Sequence, residues 1–382
     1  MRGNSSPSFR FTLSRVLGAA ALAGVASCAD GTGPGTPVRE DPLLPPASRV
    51  VALAAAFQTT CALTADDLVH CWGENRSGEF GDGTVTPSAA AVPGAGGMRF
   101  RSLHGSVGTA QMCGITRADE AFCWGYNLNG ELGDGTTSDR YSPVPVAGGL
   151  RFAAIASSYH TCGLTVQRRA YCWGSGLGGQ LGTGGSASQR TPSPVATSLS
   201  FTHITNGMQF SCALVAGGDA HCWGWSVGLG NGGTGSVDVP VPVSGGLRFE
   251  RISAAEEHVC ALAAGGQPYC WGKFGPGWPG DYRPVPTAIL GGHRFVDVAA
   301  SSRLFVGGAA CALTASGEAF CWYGGGEPVP VPGNYRFAGL VGRHGGFCGY
   351  TPGGAAACWK WEINHVNEWV LGLPTPIPAL SS

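Results

Sequence analysis

The chain has 382 residues, with 23 Lys and Arg against 24 Asp and Glu and a net charge of −1. That is about half the usual charged share, with no basic field to draw in nucleic acid and no acidic block that would read as a solvating tail. Gly 64 and Pro 26 exclude a helical bundle and lack the triplet period of collagen; with 43% apolar residues to build a core, many short strands joined by tight turns are expected.

In chain order, residues 1–28 read as a targeting segment. Arg2, Arg10 and Arg15 make a positive start, and the apolar run from Val16 to Ser27 is too short to span a bilayer as a helix. It ends in Val25-Ala26-Ser27-Cys28, which resembles the bacterial lipobox. The resemblance implies cleavage before Cys28 and a diacylglycerol on its thiol; an ordinary secretory signal that contains a cysteine is the alternative. Ala29, not Asp, follows, which in Gram-negative lipoproteins accompanies sorting to the outer membrane. Residues 29–48 form a Gly/Pro-rich tether, and no segment of 49–382 offers a transmembrane helix.

The remaining 14 of the 15 cysteines fall into pairs ten residues apart: Cys61 and Cys71, Cys113 and Cys123, Cys162 and Cys172, Cys212 and Cys222, Cys260 and Cys270, Cys311 and Cys321, and Cys348 and Cys358. The pairs start 52, 49, 50, 48, 51 and 37 residues apart, a period that signals repeat architecture. Each repeat carries four short segments. The first is of F-x-x-I type (Phe100 and Leu103, Phe152 and Ile155, and their equivalents). The second and third flank the cysteine pair, and the third ends in Cys-Trp. The fourth alternates proline, as in P-V-P-V at 143–146, 240–243 and 328–331.

If each pair is directly opposed in a hairpin, a three-residue loop remains, whose last position wants a left-handed backbone. Those positions are Asp67, Asp119, Arg168, Gly218, Gly266, Gly317 and Gly354, mostly the residue types that tolerate positive φ. Opposed Cα atoms lie close enough for a bond, so seven cross-strand disulfides are expected, which an oxidising compartment permits. Zinc would need close-spaced cysteines joined by a second such pair or His. Alternate prolines remove N–H donors along one edge only, which places the fourth segment at the rim of a sheet. Seven four-stranded antiparallel sheets with blunted outer edges describe an all-β seven-bladed β-propeller. How the ring closes, with blades matching repeats or offset from them, stays open at this point.

These repeats resemble the regulator-of-chromosome-condensation repeat family, in the form of its exported bacterial branch. The resemblance rests on C-A-L-T at 61–64 and 311–314, the C-W-G segments, G-x-N-x-x-G at 125–130, and the loops GEFGDGT at 78–84 and GELGDGT at 130–136. It implies a seven-bladed propeller. Repeats 5 to 7 depart from it, since the G-x-L-G-D-G-T loop is degraded at 275–281 and missing afterwards. The nuclear guanine-nucleotide exchange of the namesake carries over poorly to a chain with an export signal. Relatives on this fold also include secreted proteins that inhibit enzymes by gripping them with one propeller face, and fold alone does not settle function.

Motifs of chemistry are sparse. Gly224-x-Ser226-x-Gly228 matches a nucleophile elbow but follows a C-W-G strand, where no strand-to-helix turn is expected. Gly228-x-Gly230-x-x-Gly233 opens no helix. His160 and His258 hold equivalent positions and read as structural. Asp82 and Asp134 fill turns, and one acid per loop is too few for calcium. No cofactor, metal or catalytic set is expected. The four tryptophans outside the repeats' Cys-Trp pairs, Trp225, Trp278, Trp361 and Trp369, all lie between third and fourth segments. With Tyr126 and Asn127, and the insertion Arg303 to Gly308 opening on the same side, they form the candidate binding face; capping of blade ends or filling of shortened loops is the alternative. The expectation is a monomeric, non-enzymatic protein-binding or scaffold module at the cell envelope, attached to the membrane through its lipid only, with an unidentified envelope or extracellular protein as partner and no nucleic acid. The runner-up is a carbohydrate-active or other hydrolytic enzyme using Glu79, Glu131 or Asp281; an exchange-factor-like regulator is the third reading.

Overall fold

The structure is a computed structural model that describes residues 49–106, 108–275, 281–303, 307–363 and 369–377, without the side chains of 302, 303, 362, 363, 369 and 370. Cys28, the targeting segment and the tether lie outside the described residues. Seven four-stranded antiparallel sheets follow one another in sequence. Blade 1 uses Val50–Ala56, Thr59–Thr64, Val69–Gly73 and Ser88–Pro93, and every later blade repeats that order. The innermost strands of the other blades are Ser102–Gly105, Phe152–Ser157, Phe201–Asn206, Phe249–Ala254, Asp297–Arg303 and Gly339–Arg343. Neighbouring innermost strands lie side by side around the ring, the seventh against the first. Their Ala-, Ser- and Gly-rich sequences suit that crowding: a Cβ on Gly342 would collide with the Ala300 carbonyl.

Within each blade the two cysteines are direct partners across the second and third strands. All seven pairs are disulfide-bonded. Cys61 is joined to Cys71, Cys113 to Cys123, Cys162 to Cys172 and Cys212 to Cys222. Cys260 is joined to Cys270, Cys311 to Cys321 and Cys348 to Cys358. Their Cα separations are 4.0–4.1 Å. The seven turn positions named from the sequence all have positive φ, including 70° at Asp67, 61° at Asp119 and 63° at Arg168. Each such turn has a second task. Its carbonyl accepts the N–H that opens the next blade: Asp67 from Phe100 (2.9 Å), Asp119 from Phe152 (2.8 Å), Arg168 from Phe201 (2.9 Å), and likewise on to Gly317 from Phe337 (2.8 Å). The seventh of the series, Gly354 from Val50 at 3.3 Å, closes the ring. Arg49 adds a bond to the Pro352 carbonyl at 2.8 Å. Among the described residues, blades therefore coincide with repeats, each built from four strands of one repeat.

The fourth strand is the rim in every blade. Pro194 opposes Tyr171 and Pro242 opposes His221, and the prolines remove donors from the edge that faces solvent. Third strands 1 to 5 slip register between the cysteine and the glycine of C-W-G, which makes a β-bulge. Blades 6 and 7 carry Tyr323 and Lys360 at that glycine position, pair without a slip, and keep only Val329–Pro330 and Thr375–Pro376 as fourth strands.

Six seams share one construction. The Trp of a blade and the Phe that opens it lie with ring centroids 5.1–6.0 Å apart. Both pack onto the previous blade's buried disulfide, as Phe100 and Trp124 do on Cys61 and Cys71. The next five seams repeat the set on Cys113 with Cys123, Cys162 with Cys172, Cys212 with Cys222, Cys260 with Cys270, and Cys311 with Cys321. In seams 1 to 5 an apolar residue from the previous blade joins them: Phe80, Leu132, Leu181, Leu229 and Phe274. Gly133, with φ 71°, lies so close under the next indole that a Cβ would sit 2.6 Å from Trp173 Nε1.

Gly133→Ala is therefore expected to cost about 2–4 kcal/mol, from overpacking plus a left-handed alanine. Arg168→Gly, which only relieves positive φ on an exposed turn, should stabilise by about 1 kcal/mol. Urea unfolding of the two variants beside the parent measures both.

Candidate functional site

The loops between third and fourth strands, together with those between first and second strands, form one face of the ring. In blade 2 the loop is built around Asn127. Its Nδ2 donates to the carbonyls of Ser138 (2.9 Å) and Thr136 (3.3 Å), and its Oδ1 accepts Leu132 N–H at 3.0 Å. Asn75 does the same in blade 1, accepting Phe80 N–H at 2.9 Å. Asn127 is fully buried, so it does not belong to a binding face; its amide serves the shape of the loop.

The two glutamates considered for hydrolysis are also loop parts. Glu79 accepts Ser77 N–H at 2.9 Å, and Glu131 accepts Asn129 N–H at 2.7 Å. Gln180, which has no charge, accepts Gly178 N–H at 2.7 Å in the same position of blade 3. The backbone carbonyls of Glu79 and Glu131 receive the indole N–H of Trp124 and Trp173, each at 2.8 Å. Burial raises both carboxyls above the usual range. Asp281 is held by Arg283 at 3.2 Å.

Ser226 begins a short turn, Ser226–Gly228, that leads from one strand toward the next and opens no α-helix. The Gly228 carbonyl caps Trp271 Nε1 at 2.9 Å. His160 and His258 are fully buried between blades. His160 Nε2 lies 2.7 Å from Ser211 Oγ, and His258 Nε2 lies 3.2 Å from the Ala309 carbonyl. Burial pulls their pKa values down to about 3 and about 4, so both rings are neutral. Among the described residues no cluster of three His, Cys, Asp or Glu could hold a metal ion.

The candidate aromatics divide. Trp225 is 37% exposed at the start of the blade 4 loop, its N–H bonded to the Gln209 carbonyl at 2.7 Å. Tyr126, the equivalent residue of blade 2, is half-buried, and burial, with Glu131 and Asp139 beside it, raises its phenol. Trp361 is half-buried and packs on Tyr323, ring centroids 6.2 Å apart. It opens a two-stranded ribbon, Trp361–Ile363 against Trp369–Leu371, that stands where repeats 1 and 2 have their glycine loop. Trp361 packs toward blade 6, against the cluster around Cys311 and Cys321. Trp369 shares the ribbon through its backbone, whereas Trp278 and part of the 303–308 insertion lie outside the described residues.

Besides Val85 and Leu373, which are also exposed in these loops, two exposed leucines on adjoining blades were not singled out from the sequence: Leu128 at 64% and Leu177 at 79% exposure. Each stands three residues after the glycine of a C-W-G segment, at the tip of a loop whose other apolar residue, Leu132 or Leu181, is buried. That contrast inside one loop was the available signal. Leu128, Leu177 and Trp225 come from three successive blades and give this side of the ring an apolar stretch.

Near the axis, Glu256 lies in the first loop of blade 5. It is buried, and its backbone carbonyl accepts Met208 N–H at 2.8 Å. Burial, with repulsion from Glu257, pushes its carboxyl up to about 7. A carboxyl whose pKa is raised on folding favours the native state below its unfolded value near 4.5, and that advantage is lost as pH rises toward 7. The thermal midpoint of the parent, relative to Glu256→Gln, should therefore fall between pH 4.5 and 7, and paired melts across that window check it.

Comparison with known proteins agrees with the geometry. Residues 119–164 and 169–214, and separately 50–79, match the Regulator of chromosome condensation (RCC1) repeat. The Ultraviolet-B receptor UVR8 of Arabidopsis thaliana is 27% identical over 121 residues, 30% of this chain and 27% of the receptor. The chain thus spans only about a quarter of that relative's length. Among solved structures, human WBSCR16 superposes with a TM-score of 0.67 at 18% identity, covering 82% of this chain and 91% of that one. Prp20p of Saccharomyces cerevisiae, described with its binding to Gsp1p and histones, gives 0.64 at 19% identity over 77% and 80%. The chain is a seven-bladed β-propeller, and three stretches of it, residues 50–79, 119–164 and 169–214, are similar to the regulator-of-chromosome-condensation repeat.

Proposed function

We propose that this propeller is an exported, lipid-anchored protein-binding module of the cell envelope, and that it engages its partner with the loop face of blades 2 to 4. The observation that carries the reading is the exposed Leu128, Leu177 and Trp225 on successive blades. Loops held on a rigid scaffold are where binding residues concentrate, and apolar side chains gathered on one face are what an interface core needs. Below those tips the polar side chains are committed to internal bonds, as at Asn127, Glu131 and Gln180, so the loops present a preformed surface.

Export is supported by seven disulfides, which call for an oxidising compartment. Anchoring is supported by Cys28, the one cysteine outside those pairs, at the end of an apolar leader and ahead of a Gly/Pro tether. Prp20p, on the same fold, is described as binding Gsp1p and histones, a precedent for protein binding by such a ring.

Crosslinking and mass spectrometry on envelope fractions test the reading. The Leu128/Leu177/Trp225→Ala variant should lose at least about tenfold in partner capture while its thermal midpoint stays within a few degrees of the parent's. Equal capture by parent and variant would remove this face from consideration. Cys28→Ser should release the chain from membrane pellets into the soluble fraction; continued pelleting would sink the anchor.

A further inference from the structure

The seam between blades 7 and 1 departs from the other six. Trp72 occupies the repeat position, yet it is half-buried, while its six counterparts are at most 4% exposed. Val50 stands where the other blades open with Phe, and repeat 7 has no G-x-L-G-D-G-T loop to lay a Phe or Leu over the indole. In place of that cover is a cavity of about 520 Å³, bounded by Trp72 and Gln58 of blade 1 and by Arg343, His344, Lys360 and Leu373 of blade 7. The volume lies in the range of small-ligand sites.

The lining has a definite chemistry. Among the described residues, Arg343, His344 and Lys360 are its ionisable groups and no carboxylate lines it. Burial disfavours the charge on Arg343, and its guanidinium makes no ion pair among the described residues. An arginine keeps its proton inside proteins, so a half-buried guanidinium favours an anionic partner that can accept a forked pair of hydrogen bonds. Opposite it, the half-buried Trp72 offers an apolar surface of the kind that Phe80 and Leu132 occupy at other seams.

We propose that this seam cavity is a binding site for a small organic anion that carries both a carboxylate and a ring: the carboxylate is taken by Arg343, with Lys360 adding positive field, and the ring lies on Trp72. Two sources fit that chemistry, the C-terminal aromatic residue of a peptide and an acidic sugar. The site is separate from the apolar tips of blades 2 to 4 and does not depend on them.

Isothermal titration calorimetry on the oxidised full chain, with N-acetylphenylalanine and glucuronate as probes and N-acetylphenylalaninamide as the uncharged control, decides it. A carboxylate probe should bind saturably with a Kd below about 1 mM and weaken as salt rises, while the amide should not bind. The better of the two acids identifies the source. Arg343→Gln and Trp72→Ala should each weaken binding at least tenfold. Trp72→Phe, which keeps a ring in the seam, should retain most of it and covers the case in which Trp72→Ala does not fold. No saturable binding by either acid, equal binding of the amide, or binding that survives Arg343→Gln would overturn the proposal.

Discussion

The contact on which this molecule rests is the one between a repeat's tryptophan and the buried disulfide of the repeat before it. A four-stranded blade cannot bury both of its faces alone, and here each face is completed by a neighbour at six seams of one design. The disulfide makes that design possible. Bonding the second strand to the third fixes their register, so the indole, one residue after the second cysteine, always leaves the strand toward the same side. Removing the C-W-G glycine, as blades 6 and 7 do with Tyr323 and Lys360, removes the bulge and leaves only a two-residue rim strand.

The same contact explains why residues that suggest chemistry are structural. Glu79 and Glu131 sit in the loop that covers the next indole. What the seam uses is their backbone carbonyl; the carboxylate only tightens the turn. A catalytic acid needs a free carboxylate beside a substrate, and these two face their own loops. His160 and His258 bridge seams as neutral rings, acting as small polar spacers.

Much of the architecture was legible because it is written in residue types with narrow backbone chemistry. Asp67, Asp119 and four of the glycines tolerate a left-handed turn, alternate prolines mark an outer edge, and ten-residue cysteine spacing sets a hairpin. Arg168 takes positive φ against its type and was legible only through its register with the others. The surface was harder to read. Asn127 is a polar residue after an aromatic one, and nothing in its type tells whether its amide turns inward or outward; that depends on carbonyls of residues 136 and 138, which the fold brings to it. Exposed aliphatic residues were hidden for the opposite reason, since Leu128 and Leu132 are alike in sequence and opposite in burial. The equivalence of Gln180 with Glu79 and Glu131 was visible throughout, and it was enough to show that the charge is dispensable in that loop.

Closure follows a different rule from the blades. Each disulfide joins residues ten apart within one blade, so none crosses a seam. In the chain-entropy model each stabilises its own hairpin by about 2–3 kcal/mol and adds nothing to the joining of first blade to last. That joint rests on the Val50 N–H to Gly354 bond, the Arg49 contact with Pro352, and packing between the innermost strands. Like the seam between blades 6 and 7, it has no covering loop, and here a cavity remains beside Trp72. A ring of locally stapled blades with one under-filled joint has its least secured contact where its two ends meet. A molecule that fills that joint and prefers the closed ring stabilises closure by mass action.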